Sequence, residues 1–145
     1  MNAVDSQAKH RAREAALQML YQCEVGRAGP VESIATYWGS RDADDRLPDR
    51  FQEFANRLVR GTLERRDEID RLLAAHAQNW RVERMAVIDR IVLRLAVHEM
   101  LSEADTPSKV IINEAIELAR SFSGDEAVGF VNGVLDAVRK ELRRA

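Results

Sequence analysis

Apolar residues recur along this chain with the period of an α-helix. Phe51, Phe54, Ala55, Leu58, Val59, Thr62 and Leu63 advance by alternating steps of three and one, which lines them up on one helical face. Ile69, Leu72 and Leu73 continue the rule in a second segment. Val131, Val134, Leu135, Val138 and Leu142 repeat it near the C-terminus. Near the N-terminus Ala16, Leu17, Leu20 and Tyr21 form a further stripe, and strand-like alternation of useful length is absent. The pattern predicts an all-α fold.

Helix breakers and caps divide these stripes into about seven helices. Gly26, Gly29 and Pro30 end the first helix and start the second, Gly39 to Pro48 reads as a polar loop, and Pro48 suits a first helical turn. Thr106 followed by Pro107 predicts an N-cap with proline at the first helical position, and Ser123-Gly124-Asp125 predicts a stop with a new cap behind it. From about Arg84 to Ser102, Ile88, Ile91, Val92, Leu93, Leu95, Ala96, Val97 and Met100 cover most of the circumference, so this helix is expected to be a buried central strut. The expected organisation is a single domain over 1–145 made of two packed helical sub-bundles, about 8–65 and about 67–143. Gly133 lies inside an apolar helix and is expected to serve close packing, while Asn113 and Asn132 are expected to satisfy backbone groups between helices.

Composition narrows the function classes. With 145 residues, 46% of them hydrophobic, the chain can bury a core without staples. A lone Cys23 cannot form an internal disulfide, the opening residues hold no apolar export signal, and no run approaches the roughly 20 apolar residues of a membrane span. A cytoplasmic protein without membrane contact is expected. Phosphate-loop, dinucleotide-binding and nucleophile-elbow motifs are missing, and Ser102 stands where a zinc-helix motif starting at His98-Glu99 would need its second histidine. Glu114 and Glu117 share a face, but Arg120 lies three residues beyond Glu117, which predicts a hydrogen-bonded surface pair. No catalytic residue, metal site or cofactor is expected.

Charge is nearly balanced, with 22 Lys+Arg against 24 Asp+Glu, but unevenly spread. Lys9, Arg11 and Arg13 dominate the first thirteen residues, and Arg139, Lys140, Arg143 and Arg144 dominate the last seven, leaving an acidic body. If the first helix starts near Lys9, its cations oppose the helix dipole at about 0.3–1 kcal/mol each, which points to a polyanion that neutralises them. Lys9, Arg11 and Arg13, with His10 when protonated, suit phosphates, and an aromatic ring can stack a splayed base. The C-terminal cations are read as complementing a helix end.

Three blocks carry a more specific signal. Arg11-Ala12-Arg13-Glu14 leads into Ala16-Leu17 and Leu20-Tyr21. Asn113-Glu114-Ala115-Ile116-Glu117-Leu118-Ala119 follows Asp89-Arg90 and Leu93-Arg94-Leu95-Ala96. Phe130-Val131-Asn132-Gly133-Val134-Leu135 comes last. In order and spacing the chain resembles the bacterial transcription antitermination factor NusB family over nearly its whole length. That resemblance implies a non-enzymatic protein that pairs with a small-subunit ribosomal protein (NusE), binds the single-stranded boxA element of nascent RNA, and helps RNA polymerase pass terminators, notably in ribosomal RNA operons.

Carried over by residue, the RNA-binding set is Lys9, His10, Arg11, Arg13, Glu126 and Phe130, with Phe130 the stacking ring. Tyr21 and Asp89 map onto the surface for the ribosomal protein. The loop Gly124 to Phe130 lacks the Ser and Lys that many relatives place before the Phe, which makes it more acidic, and the basic N-terminal run is thinner. About three phosphate contacts to one strand predict a log–log salt slope near −2. The alternatives are a helical protein–protein adaptor or homodimer without an RNA role, and a stand-alone relative of the RNA-recognition domain of rRNA cytosine methyltransferases.

Overall fold

The computed structural model describes residues 3–77 and 85–145, and Arg84, the expected start of the strut, lies outside them. The described residues form seven α-helices, with no strand among them. These are α1 (Ala3–Glu24), α2 (Pro30–Gly39), α3 (Asp49–Glu64), α4 (Arg66–His76), α5 (Val87–Ser102), α6 (Ser108–Phe122) and α7 (Val128–Glu141). Single 3₁₀ turns occur at Ala43–Asp45 and Asp125–Ala127. The chain divides into two compact units, Met1–Gly61 and Thr62–Ala145, so the last residues of α3 are counted with the second.

In the first unit α1 packs on α2. Ala12, Ala15, Ala16, Leu17, Met19 and Leu20 of α1 are buried, as are Phe51, Phe54, Ala55, Leu58 and Val59 of α3. The three small alanines let a neighbouring element come close, and burial of each large side chain contributes about 1.5–3 kcal/mol. Pro30 occupies the first turn of α2, where its missing N–H costs nothing. The stretch between Gly39 and Pro48 is not simply a polar loop. It holds a 3₁₀ turn and buries Leu47, and the Pro48 carbonyl accepts from the amides of Phe51 (2.9 Å) and Gln52 (3.1 Å) to start α3.

α1 begins at Ala3, well before Lys9. Asp5 occupies the first turn and the cations lie one to two turns further in, beyond the reach of the helix-end partial charges. The expected conflict with the helix dipole is therefore absent, and the case for a polyanion has to rest on where those cations point.

The second unit is organised around α5, which packs on α4, α6 and α7. Every residue from Ile91 to Met100 is buried, as the near-complete apolar circumference predicts. Ile69 and Leu73, Ile111 and Leu118, and Val131, Leu135 and Val138 supply matching stripes from the other three helices. Charge enters this core in a paired form. Arg94, with 9% of its side chain exposed, donates to both carboxylate oxygens of Asp70 at 2.8 and 2.9 Å, joining α5 to α4.

Three local expectations are corrected. Pro107 is itself the N-cap of α6, its carbonyl accepting from Val110 and Ile111, and Thr106 makes no side-chain cap. Gly133 faces open space on α7, with nothing within 4 Å of where a Cβ would stand, so internal packing does not require it. Asn113 and Asn132 are exposed and bridge no helices; both line a cavity of about 340 Å³ with Lys109, Ile112 and Asp136. At Gly124, in contrast, the glycine is structurally needed. Its φ of 149° lies where L-residues are strained, and its amide donates to Ala119 O at 2.9 Å to close α6.

Candidate functional site

In the first unit the expected RNA-contacting residues occupy successive turns of α1 but point different ways. Arg11 is exposed; its Nη2 donates to the Asp45 carbonyl at 3.0 Å, and it borders a cavity of about 240 Å³ lined also by Tyr37, Trp38 and Arg41. The Arg41 guanidinium lies 4.2 Å over the Tyr37 ring, and Tyr37 meets Trp38 edge-on. His10 is half-buried, with Nε2 3.7 Å from Glu14 one turn on. Lys9 places its Nζ 5.2 Å from the Phe54 ring centroid, a cation–π contact that leaves an ammonium's remaining donors for another partner.

Arg13 departs from expectation. It is only 2% exposed, its guanidinium 5.4 Å from the same Phe54 ring, so it braces α1 against α3 and does not present itself to a phosphate. The helical period accounts for this, because position 13 follows the buried Ala12 and precedes the buried Ala16 and Leu17.

In the second unit Glu126 and Phe130 lie where α6 gives way to α7. Glu126 is exposed, and its carboxylate oxygens fold to within 2.7 Å of the Cβ position that Gly124 lacks. Phe130 is half-buried in the first turn of α7, with part of its ring accessible. The surroundings are acidic but tied down. Arg120 holds Glu117 at 2.5 Å, as the i, i+3 spacing predicts, and reaches Asp125 at 3.6 Å. Sequence reasoning missed Phe122, 37% exposed at the end of α6, a second aromatic beside the same connection. Its spacing continues the buried α6 stripe of Ile111, Ala115 and Leu118, so the sequence gave no sign that it would face outward.

The two residues expected to meet a protein partner also fall on separate units. Tyr21 on α1 is 37% exposed, and one turn on Val25 is 51% exposed, so an aromatic and an aliphatic side chain share an open edge. Asp89, in the first turn of α5, is half-buried, and its Oδ1 is shut off from solvent with no hydrogen-bond partner. A buried carboxylate oxygen in that state is an acceptor left unsatisfied within the chain.

Of the C-terminal cations, Arg139, Lys140 and Arg144 are engaged locally, while Arg143 is exposed. Arg144 donates to Ser108 Oγ (2.8 Å) and to the carbonyls of Glu103 (2.8 Å) and Thr106 (3.2 Å), fastening the α5–α6 connection. Arg139 and Lys140 hold Asp136 at 2.9 and 3.2 Å, and the hydrogen bonds from Arg139 and then Lys140 keep its carboxyl below the usual carboxylate range. Among the described residues no group of three His, Cys, Asp or Glu could hold a metal ion, and no helix is long and apolar enough to cross a membrane.

These features define an all-helical protein of two units, with an arginine- and lysine-bearing first helix and an aromatic near the start of its last. The NusB family model matches residues 10–140. The transcription antitermination protein NusB of Symbiobacterium thermophilum is 43% identical over 141 residues, covering 94% of this chain and 92% of that protein. NusB of T. maritima superposes with a TM-score of 0.81 at 35% identity, over 92% of this chain and 91% of that one. A chain in the crystal structure of antitermination factors NusB and NusE in complex with double-stranded RNA shares the fold, with a TM-score of 0.82 at 24% identity over 93% of this chain and 98% of that one. The chain belongs to the NusB family.

Proposed function

We propose that this protein is a transcription antitermination factor. It binds boxA-type single-stranded RNA together with the small-subunit ribosomal protein NusE, and in the cytoplasm it promotes read-through by RNA polymerase, notably in ribosomal RNA operons. The observation that carries the reading is the family match over residues 10–140, on a chain 43% identical to a transcription antitermination protein. The work is binding, and it calls on no catalytic residue or cofactor.

Lys9, His10 and Arg11 supply phosphate contacts from the first unit, and Phe130 with Glu126 supplies the contact from the second, Phe130 by stacking a base. Arg13 serves this set from beneath, by packing. Tyr21 and Asp89 face the ribosomal protein: Tyr21 as an aromatic anchor of the kind that dominates interface energetics, Asp89 as an acceptor for a cationic or amide donor. A basic ribosomal protein also suits the acidic body of the chain, since complementary potential speeds encounter.

Transcription in vitro tests the reading. On a template with boxA upstream of a terminator, adding the protein with NusE to polymerase and its elongation factors raises read-through, and scrambling boxA removes the gain. Equal read-through on both templates, with and without the protein, would refute it.

A further inference from the structure

Arg41, just past the end of α2, carries a guanidinium that several contacts hold in place. It lies 4.2 Å over the Tyr37 ring, and its Nη2 donates to Gln18 Oε1 of α1 at 3.0 Å. The Arg41 amide donates to the Trp38 carbonyl at 3.3 Å, and its own carbonyl accepts from Arg46 Nε at 3.1 Å. Trp38 is fixed as well, its Nε1 donating to Asn56 Oδ1 of α3 at 2.8 Å. Arg41, Tyr37 and Trp38 border one cavity of about 240 Å³ together with Arg11, Glu14 and Gln18 of α1, all within the first unit. Two arginines, Arg11 and Arg41, meet two acids, Glu14 and Asp45, around it, so the lining carries no net charge and does not select a bare anion. It sets aromatic rings and a guanidinium plane beside both donors and acceptors, which is the complement of a planar heteroaromatic ring. The volume lies below the roughly 300–1,000 Å³ of a drug-sized ligand's pocket and suits a single base.

We propose that this cavity between α1 and the end of α2 takes one splayed base of the bound RNA, stacked on the Arg41 guanidinium. The inference rests on the RNA-binding reading above and deepens it, because it gives the first unit a contact to a base where Lys9, His10 and Arg11 contact only phosphates. Unstacked RNA bases are held on aromatic rings and on guanidinium planes alike. Arg11, at the same cavity, keeps its grip on the phosphate of that nucleotide. Gln18, its Oε1 committed to Arg41, offers its NH₂ group as a donor to the base edge, and the Glu14 carboxylate accepts from it. Tyr37 and Gln18 hold the guanidinium before the base arrives, which lowers the ordering cost of binding. Lysine could not replace Arg41 here, since it carries the charge without the plane.

The test titrates labelled boxA RNA, intact or with one abasic nucleotide placed at each position in turn, with the full chain plus NusE by fluorescence anisotropy across a salt series. The proteins compared are the wild type, Arg41→Lys and Phe130→Ala. Arg41→Lys is expected to weaken binding of intact RNA about five- to thirtyfold, the worth of one stacked base, at an unchanged salt slope. At one position the abasic RNA costs the wild type the same factor and costs Arg41→Lys nothing further, because both changes remove one contact. That position differs from the one coupled in this way to Phe130→Ala. Wild-type affinity in Arg41→Lys would overturn the proposal, since charge alone would then suffice. A loss in Arg41→Lys that is equal on intact RNA and on every abasic RNA would also overturn it, because the arginine would then act through packing. Free mononucleotides that abolish the coupling while the RNA stays bound would overturn the RNA as the source of the base. Each of these leaves the function reading standing, whereas failure of the wild type to bind intact boxA RNA would remove that reading and this site with it.

Discussion

Arg94 of α5 grips Asp70 of α4 through two hydrogen bonds, 2.8 Å from Nε and 2.9 Å from Nη2, with 9% of the arginine side chain and 27% of the aspartate side chain exposed. The fork-on-carboxylate geometry satisfies two donors at once and fixes the register of the two helices. Asp70→Ala leaves a guanidinium in the core without its carboxylate and is expected to cost about 3–5 kcal/mol. Arg94→Met, which removes the charge and keeps much of the volume, should cost less. Urea unfolding of the two variants checks the order, and equal losses would contradict it.

His98, also on α5, is only 6% exposed, and its Nδ1 is buried without a partner. Burial, then the nearby Arg65 charge, pushes its pKa below the ordinary 6.5, outweighing Glu103 and Glu64, which act the other way. The unfolded chain therefore takes up a proton at a pH where the folded chain does not. The sign follows: His98 costs nothing well above pH 6.5, and stability falls as pH drops through 6.5 toward the lowered folded pKa. The difference in stability between wild type and His98→Gln should drift against the wild type over that range. A difference independent of pH would refute the assignment.

Gly124→Ala forces an L-residue to φ 149° and puts a methyl 2.7 Å from the Glu126 carboxylate oxygens. Glu126 can swing aside, but the backbone strain remains, at about 1–3 kcal/mol. Thermal melting should show the loss. Gly133→Ala, with open space around it and a helical backbone, should instead stabilise by up to about 1 kcal/mol.

The helices, and the residues that form their cores, were legible because period 3.6 is a strong signal over 14 to 22 residues; the α3 stripe is buried from Phe51 to Thr62 as the spacing predicts. Exact starts were less legible. The polar turn before Lys9 reads as a tail, yet α1 starts at Ala3, with Asp5 in its first turn paired to Arg50 of α3 at 2.9 Å. Site residues were legible by type and not by direction. Arg13 and Arg11 are two apart on a helix and face different environments, one under Phe54 and one at the surface. The open space around Gly133 and the free amides of Asn113 and Asn132 likewise needed coordinates.

Asp89→Asn separates partner binding from folding. Its Oδ1 has no donor in the isolated chain, so the amide should change stability by less than about 1 kcal/mol, the lost charge at the helix start being the main cost. Affinity for NusE should fall about tenfold, measured by isothermal titration calorimetry. Unchanged affinity would detach Asp89 from the interface.

Phe130→Ala should weaken boxA binding by about 1–3 kcal/mol through loss of one stacked base, with the salt slope unchanged. An altered slope with equal affinity would contradict a stacking role.

The central claim is that this chain recognises boxA RNA in company with a ribosomal protein, and anisotropy of labelled boxA RNA, with and without NusE and beside a scrambled RNA, tests it most directly. The account predicts tight, sequence-dependent binding when both proteins are present and weak binding by this chain alone. Equal, weak binding of both RNAs, unaffected by the ribosomal protein, would contradict it.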